Sequence, residues 1–337
     1  MAYTPQLQIT PRLLSMVESV AALRERIQGA AVAVSWIPGL QRDTRARNAH
    51  ASTAIEGNAL TLEQVRAIED GREPLASDER SRREVLNYFA GLRYIEKRAD
   101  QERFRHEDIF ELHRILAAGV MDQGDAGRYR TIGVRVGLHV PPRPDDVSGL
   151  MFELLDWWNT RSRDLSPVLS SAVLHHQFET IHPFADGNGR TGRALALWEL
   201  YRRGFDTHHL FSVDEFYWED RPRYYAALDV VRRESYDLSQ WLEYCAEGLR
   251  HTLERVWMRV QTLHDRTQPR VVLRPKQERL LQLLRDHGAM APSEIWAALG
   301  VSRQGAMNLI RPLLDAGMIE RVGGKKTGKY VLRRLGE

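Results

Sequence analysis

The chain has 337 residues, long for a single hydrophobic core and suggestive of two or three units. Its 43% hydrophobic and 28% charged content is that of an ordinary globular protein, and its lone cysteine, Cys245, excludes an intrachain disulfide and suits a reducing cytoplasm. The net charge of +3 hides an asymmetry, because from Arg270 onward thirteen basic residues stand against six acidic ones and the rest is mildly acidic, so two different kinds of partner are expected.

The start, Met1 to Val20, lacks a basic-then-apolar signal pattern, and the apolar run from Gly29 to Leu40 is too short to span a bilayer and contains Pro38. No membrane segment is expected. Leu13, Leu14, Val17, Val20 and Leu23 recur on one face of a first helix. A second, polar helix runs from Arg42 to Ile55 until Gly57-Asn58 supplies a stop, and Thr61-Leu62-Glu63-Gln64 opens another as a capping box. Between Gly127 and Val147 the texture changes. Gly127-Arg128-Tyr129-Arg130 leads into the alternating Val134 to Val140, closed by Pro141-Pro142, which reads as a short hairpin. Helices follow through Trp157-Trp158, whose indoles belong to the core. Ser166-Pro167 then starts a helix in which Val168, Leu169, Ala172, Val173, Leu174 and Phe178 keep helical spacing. Within it, His175 and His176 are expected to split, one on the core face and one in water.

Twelve residues after that helix carry the chemistry: His182-Pro183-Phe184-Ala185-Asp186-Gly187-Asn188-Gly189-Arg190-Thr191-Gly192-Arg193. They place a base, a carboxylate, an amide, flexible glycines and two arginines on one turn. The apolar-periodic stretch beyond it (Leu195, Leu197, Trp198, Leu200, Tyr201) predicts a helix whose N-terminus, with its unpaired N–H donors and partial positive charge, favours a phosphate. Arg190 and Arg193, three apart, share that helix's first face and can fork onto phosphate oxygens. Asp186 is placed for a hard cation such as Mg²⁺, and His182 is a candidate general base, since imidazole is the side chain most often used for that work. The stretch also contains the Gly-x-Gly-x-x-Gly spacing of a dinucleotide site, but the segment before it is helical where such a site needs a strand, so that reading is rejected.

Read whole, the turn resembles the signature of the Fic family, His-Pro-Phe-x-(Asp/Glu)-Gly-Asn-Gly-(Arg/Lys)-x-x-Arg, with every specified position filled. The resemblance implies transfer of AMP from Mg·ATP to a hydroxyl side chain of a protein. It implies that His182 deprotonates the hydroxyl, that Asp186 binds Mg²⁺, that Gly187, Asn188 and Gly189 hold the α-phosphate, and that Arg190 and Arg193 grip the β- and γ-phosphates, with Thr191 and Gly192 in the same turn. Attack at the α-phosphorus expels pyrophosphate, so stabilising charge belongs on the β/γ side, where two arginines and a metal supply it. Ser52-Thr53-Ala54-Ile55-Glu56-Gly57 is similar to the inhibitory (Ser/Thr)-x-x-x-Glu-(Gly/Asn) motif of such proteins, implying that Glu56 pairs with Arg193 and blocks γ-phosphate placement. The hairpin corresponds to the family's flap, with Val136, Gly137, Leu138 and His139 over the nucleotide and a strand edge aligning the target segment. Tyr224 and Tyr225, in the amphipathic helix opened by Arg221-Pro222, correspond to the adenine site.

Gly248 to Thr267 reads as a long connecting helix, and Gln268-Pro269 and Arg274-Pro275 mark a boundary. Beyond it come helices at Lys276–Asp286, Ser293–Leu299 and Ser302–Ala316, then Ile319 to Val322, a Gly323-to-Gly328 tip and Tyr330 to Leu332. This order resembles a winged helix-turn-helix, which implies that Arg303, Gln304 and Asn308 face bases and that Lys325, Lys326 and Lys329 meet phosphates. Winged helices also serve as docking or dimerisation modules, so a homodimer is compatible with the pattern.

The expectation is thus a mainly α protein: an N-terminal helical region with the inhibitory helix over 1–100, a Fic-type helical core with a β-hairpin flap over 101–248, a connecting helix over 249–273 and a winged helix over 274–337. Its function is that of a cytoplasmic protein adenylyltransferase, using ATP and Mg²⁺ on a Tyr, Thr or Ser hydroxyl of a target protein or of itself, restrained by Glu56. Two alternatives remain open, a de-adenylylating hydrolase using Glu56 and a nucleotide-sensing DNA-binding regulator. The presence of His182 argues against the second, since a sensor needs no base.

Overall fold

The computed structural model describes residues 3–30, 37–73, 77–206, 208–233, 236–267, 275–324 and 328–333. It divides into two compact units, residues 1–260 and residues 261–337.

In the first unit α1 (Pro11–Gly29) begins where the Thr10 hydroxyl accepts the Leu13 N–H, with proline in its first turn. It buries Leu13, Val20 and Ile27, whereas Leu14 is 51% exposed. Neighbouring positions on a helix lie about 100° apart, so only one of the two leucines faces the core. Next come α2 (Ile37–Ile55), α3 (Leu62–Glu69) and α4 (Glu79–Glu96). The capping box that opens α3 is complete in both directions, between Thr61 and Gln64. After α5 (His106–Ala117) and α6 (Pro144–Thr160) come α7 (Pro167–Ile181) and α8 (Asn188–Arg202), which pack against each other at the centre. Then follow α9 (Val213–Glu219), α10 (Arg221–Arg233) and α11 (Ser239–Thr267), of which the residues up to 260 belong to this unit.

α7 buries residues on every side, among them Val168, Leu174, Phe178 and Ile181. The expected division of His175 and His176 between core and water therefore fails, and both are buried. Trp157 and Trp158 are buried as expected, Trp158 stacking on Phe104 and donating to Glu199 Oε2 at 2.7 Å. The predicted hairpin at 134–140 shrinks to a single antiparallel bridge between Val136 and His139. Leu138 and Val140 point into solvent and supply no packing to extend the ladder. The connecting helix starts at Ser239, where the Asp237 carboxylate accepts the Ser239 N–H at 2.8 Å, so Gly248 lies inside it. No helix among the described residues is long and apolar enough to cross a membrane.

The second unit contains α12 (Pro275–His287), α13 (Pro292–Leu299), α14 (Arg303–Asp315) and an antiparallel pair, β1 (Ile319–Val322) and β2 (Lys329–Leu332). Ser302 caps α14 by accepting the Gly305 N–H. Its own small core joins Leu280, Leu284, Ile295, Ile310, Leu313 and Tyr330. Lys325 and Lys326 lie outside the described residues.

Candidate active site

The loop between α7 and α8 is built around a strained residue. His182 caps α7 with φ 50° and ψ 62°, the left-handed region, which costs a residue with a Cβ about 1–2 kcal/mol. Such a backbone persists only where its surroundings over-determine it. The His182 N–H donates to the Phe178 carbonyl at 2.8 Å, and Arg130 Nε donates to the His182 carbonyl at 2.9 Å. Arg130 is 4% exposed, and its other nitrogens reach the carbonyls of Ile132 at 3.0 Å and Pro142 at 2.6 Å. One buried guanidinium thus ties His182 to both ends of the 132–142 segment. The Asn188 side chain closes the loop, accepting the Phe184 N–H and donating to the Phe184 carbonyl, both at 2.8 Å. His113 braces it from α5. Its Nδ1 accepts the Gly127 N–H at 2.8 Å, so Nε2 carries the proton and donates to the Asp186 carbonyl at 2.9 Å, while the ring stacks on Phe184 at 3.6 Å.

A cavity of about 340 Å³ opens beside this loop, within the roughly 300–1,000 Å³ range of small-molecule sites. Its lining includes Glu56, His182, Gly189 and Arg193 together with Val136, Gly137, Tyr224 and Tyr225. Arg193 is almost wholly buried. It donates from Nε to Ser52 Oγ at 2.8 Å and from one terminal nitrogen to the Ser52 carbonyl at 2.8 Å and to Glu56 Oε1 at 2.7 Å. Burial opposes the guanidinium charge, but Glu56, Tyr224 and Asp214 around it more than reverse that, so Arg193 stays cationic. Gly189 is where α8 and Glu56 meet, and a Cβ there would collide with the Glu56 carboxylate. Arg190 is also buried, with Glu84 at 3.7 Å, and its Nε and one terminal nitrogen have no hydrogen-bond partner among the described residues. Buried donors left this way are costly unless a ligand meets them. The first i→i−4 bond of α8 runs from the Thr191 N–H to the Gly187 carbonyl, which leaves the N–H groups of Asn188, Gly189 and Arg190 ahead of it.

Other predicted site residues also have partners within the fold. The Thr191 hydroxyl donates to the Gly187 carbonyl at 2.9 Å, and Gly192 packs against Phe178 and Glu179. Leu138 is 78% exposed, while His139 Nε2 meets the Thr180 carbonyl at 3.0 Å and pins the flap to α7. Tyr224 is buried, its hydroxyl 3.1 Å from His175 Nε2 and its ring 4.9 Å from Tyr217; the Tyr225 hydroxyl donates to the Ile55 carbonyl. Asp186 Oδ1 accepts the Gly187 N–H at 2.6 Å and Oδ2 the Asp122 N–H at 3.1 Å, so each oxygen keeps a lone pair. No group of three or more His, Cys, Asp or Glu gathers for a metal among the described residues. A lone carboxylate suits Mg²⁺ carried mostly by phosphates and water.

Sequence reasoning passed over His113, Arg130 and Glu179. The signal for His113 is a histidine in the apolar register of α5, beside Ile109, Leu112 and Leu116; Arg130 showed nothing beyond its place before the flap.

Burial lowers His113 and His175 to about 4 and His176 to about 3. All three bind protons more weakly folded than unfolded, where histidine titrates near about 6.5. Their contribution to stability is therefore complete above about pH 6.5 and is lost as pH falls through about 4 for His113 and His175 and about 3 for His176. Unfolding free energy from urea titrations should drop with acid at up to about 1.4 kcal/mol per pH unit for each histidine. His113→Gln should lower stability at neutral pH and flatten that slope by one proton; an unchanged slope would show that His113 is not held neutral.

The Fic/DOC family profile matches residues 103–200. The chain is 32% identical over 231 residues to the protein adenylyltransferase fic-1 of Caenorhabditis elegans, covering 67% of this chain and 44% of that protein. It is 32% identical over 241 residues to the protein adenylyltransferase Fic of Drosophila willistoni, covering 70% and 46%. The chain thus spans about half the length of these relatives. A crystal structure of a Fic family protein from Desulfovibrio desulfuricans G20 superposes with a TM-score of 0.68 at 30% identity, covering 99% of this chain and 100% of that one.

Proposed function

Since this chain belongs to the Fic family, we propose that it is a protein adenylyltransferase that moves AMP from ATP to a Tyr, Thr or Ser hydroxyl of a target protein or of itself. The observation that carries this reading is one cavity shared by a base, His182, and a buried cation, Arg193, at the N-terminus of α8. His182 takes the proton of the attacking hydroxyl. The early N–H groups of α8 and the unpartnered donors of Arg190 meet negative charge as pyrophosphate departs. Asp186 would hold Mg²⁺, which when bound neutralises phosphate charge and orients the leaving group. The pair between Glu56 and Arg193 restrains the enzyme, because a γ-phosphate must displace a carboxylate to reach the guanidinium. Purified protein incubated with Mg²⁺ and each nucleoside triphosphate labelled at the α-phosphate, with label located by mass spectrometry, tests the reading. Transfer of AMP to protein is expected, and release of AMP from a pre-adenylylated target without transfer would favour the hydrolase.

We read the second unit as a winged helix that binds DNA through α14. What supports this is the exposure of Arg303, Gln304 and Asn308 on that helix, with Lys329 exposed on β2. Gln304 Nε2 donates to Asn308 Oδ1 at 3.2 Å, which aligns two amides able to read an adenine edge. DNA affinity should fall steeply with salt. Replacing Lys325 and Lys326 by Ala should flatten the log–log slope by about 0.9 per lost phosphate contact. Absence of DNA affinity at low salt would leave docking as the better reading.

A further inference from the structure

Glu179 lies one turn before His182 on α7, with its side chain 8% exposed. Its Oε2 is 3.5 Å from His182 Nδ1. Both Nδ1 and the other carboxylate oxygen, Oε1, are buried without a hydrogen-bond partner among the described residues. The packing depends on Gly192, since a Cβ there would run into Oε1, and only a glycine lets α8 come this close. Burial pushes the Glu179 carboxyl up, but His182, His175 and Arg193 more than reverse this and hold it below the usual carboxylate range. Of the neighbouring polar groups, several bind other partners, although the buried Arg232 Nε has none among the described residues. Arg232 donates to the Glu179 main-chain carbonyl, Arg130 to that of His182, the His139 ring meets the Thr180 carbonyl, and Arg193 is taken by Ser52 and Glu56. A buried carboxylate with one free oxygen, facing a buried imidazole nitrogen with no partner, is costly as packing alone.

We propose that Glu179 is the positioning carboxylate of His182: it accepts the Nδ1–H and thereby leaves the lone pair on Nε2 for the attacking hydroxyl. This rests on reading His182 as the general base. In the step it serves, the hydroxyl O–H bond breaks and its proton goes to Nε2 while the oxygen bonds to the α-phosphorus. The bond from that phosphorus to the pyrophosphate oxygen breaks, and its electron pair leaves with pyrophosphate. Glu179 stays ionised throughout and stabilises the imidazolium. The 3.5 Å separation is long for a hydrogen bond, but contacts of this kind tighten when substrate closes the site.

The test is the ring ¹⁵N spectrum of His182 in the full chain labelled with [¹⁵N]histidine, recorded above neutral pH and assigned by its loss in His182→Ala. The wild type is expected to be the Nδ1–H tautomer. In Glu179→Gln the carboxamide turns an N–H toward Nδ1, so the proton moves to Nε2, where it blocks proton uptake. For that variant kcat for AMP transfer should fall by roughly 10²–10⁴-fold, as when the orienting carboxylate of a catalytic triad becomes an amide. KM for ATP should stay within about threefold, because no ground-state contact to phosphate is lost. Glu179→Asp keeps the charge and should keep the Nδ1–H tautomer, and it decides the matter if Glu179→Gln does not fold. A wild-type Nε2–H tautomer, or a tautomer that Glu179→Gln leaves unchanged, would overturn the proposal whether or not AMP is transferred. A wild type inactive with every nucleotide, yet showing the predicted tautomer change, would sink the transferase reading and leave the Glu179–His182 coupling standing.

Discussion

Replacing His182 with alanine is expected to lower AMP transfer by about 10²–10⁴-fold, the usual loss when a general base is removed. Mg·ATP binding, measured by calorimetry, should remain close to wild type. The imidazole faces Glu179, while Arg190 and Arg193, the cations proposed to meet phosphate, sit on α8 and do not depend on the ring. The backbone adds a control. His182 occupies the left-handed region, which asparagine tolerates better than alanine does. His182→Asn should therefore preserve the loop as well as the wild type does and yet be as inactive as His182→Ala. Near-normal turnover in either variant would remove His182 from the chemistry.

Replacing Glu56 with glycine should raise AMP transfer. Glu56 Oε1 lies 2.7 Å from the Arg193 guanidinium, and the Glu56 side chain is 34% exposed against 1% for Arg193. An incoming γ-phosphate must therefore compete for an occupied cation while facing a like charge. Two like charges about 4 Å apart repel by about 1–4 kcal/mol as screening weakens from water to the protein surface. Relief of about 1.4 kcal/mol of that repulsion corresponds to a tenfold gain. Arg193 keeps its bonds to Ser52 when Glu56 is gone, so the guanidinium stays placed for phosphate. Glu56→Asp, which shortens the reach by about 1.5 Å, should give partial relief. Arg193→Ala should impair transfer with or without Glu56, so the double variant should resemble Arg193→Ala. That non-additivity marks a coupled pair. Equal incorporation of labelled AMP by wild type and Glu56→Gly, into the protein itself and into a lysate, would reduce Glu56 to a helix-end carboxylate.

By itself the sequence determined what is local. The turn from His182 to Arg193 is legible because its base, carboxylate and arginines are contiguous, and the starts of α3, α7 and α14 because a capping side chain sits within three residues of the N–H it satisfies. The α14 to β2 order reads equally well, since a helix, a turn and a strand each carry their own periodicity. What only the tertiary structure decided depends on residues that meet across the chain. Period alone cannot say that α7 is covered on all sides, so His175 and His176 were divided when packing buries both. Alternation at 134–140 predicted a hairpin, but a ladder needs apolar cover, and Leu138 has none. The register of α5 marks His113 as a buried histidine, but neither its role nor that of Arg130 is legible, because each acts on main-chain carbonyls, Asp186 and His182 respectively, and a carbonyl leaves no mark in a sequence. The pairing of Glu56 with Arg193, 137 positions apart along the chain, is implied in the sequence only by motif resemblance; its 2.7 Å contact follows from where α2 ends against α8, a matter of packing that no local propensity encodes.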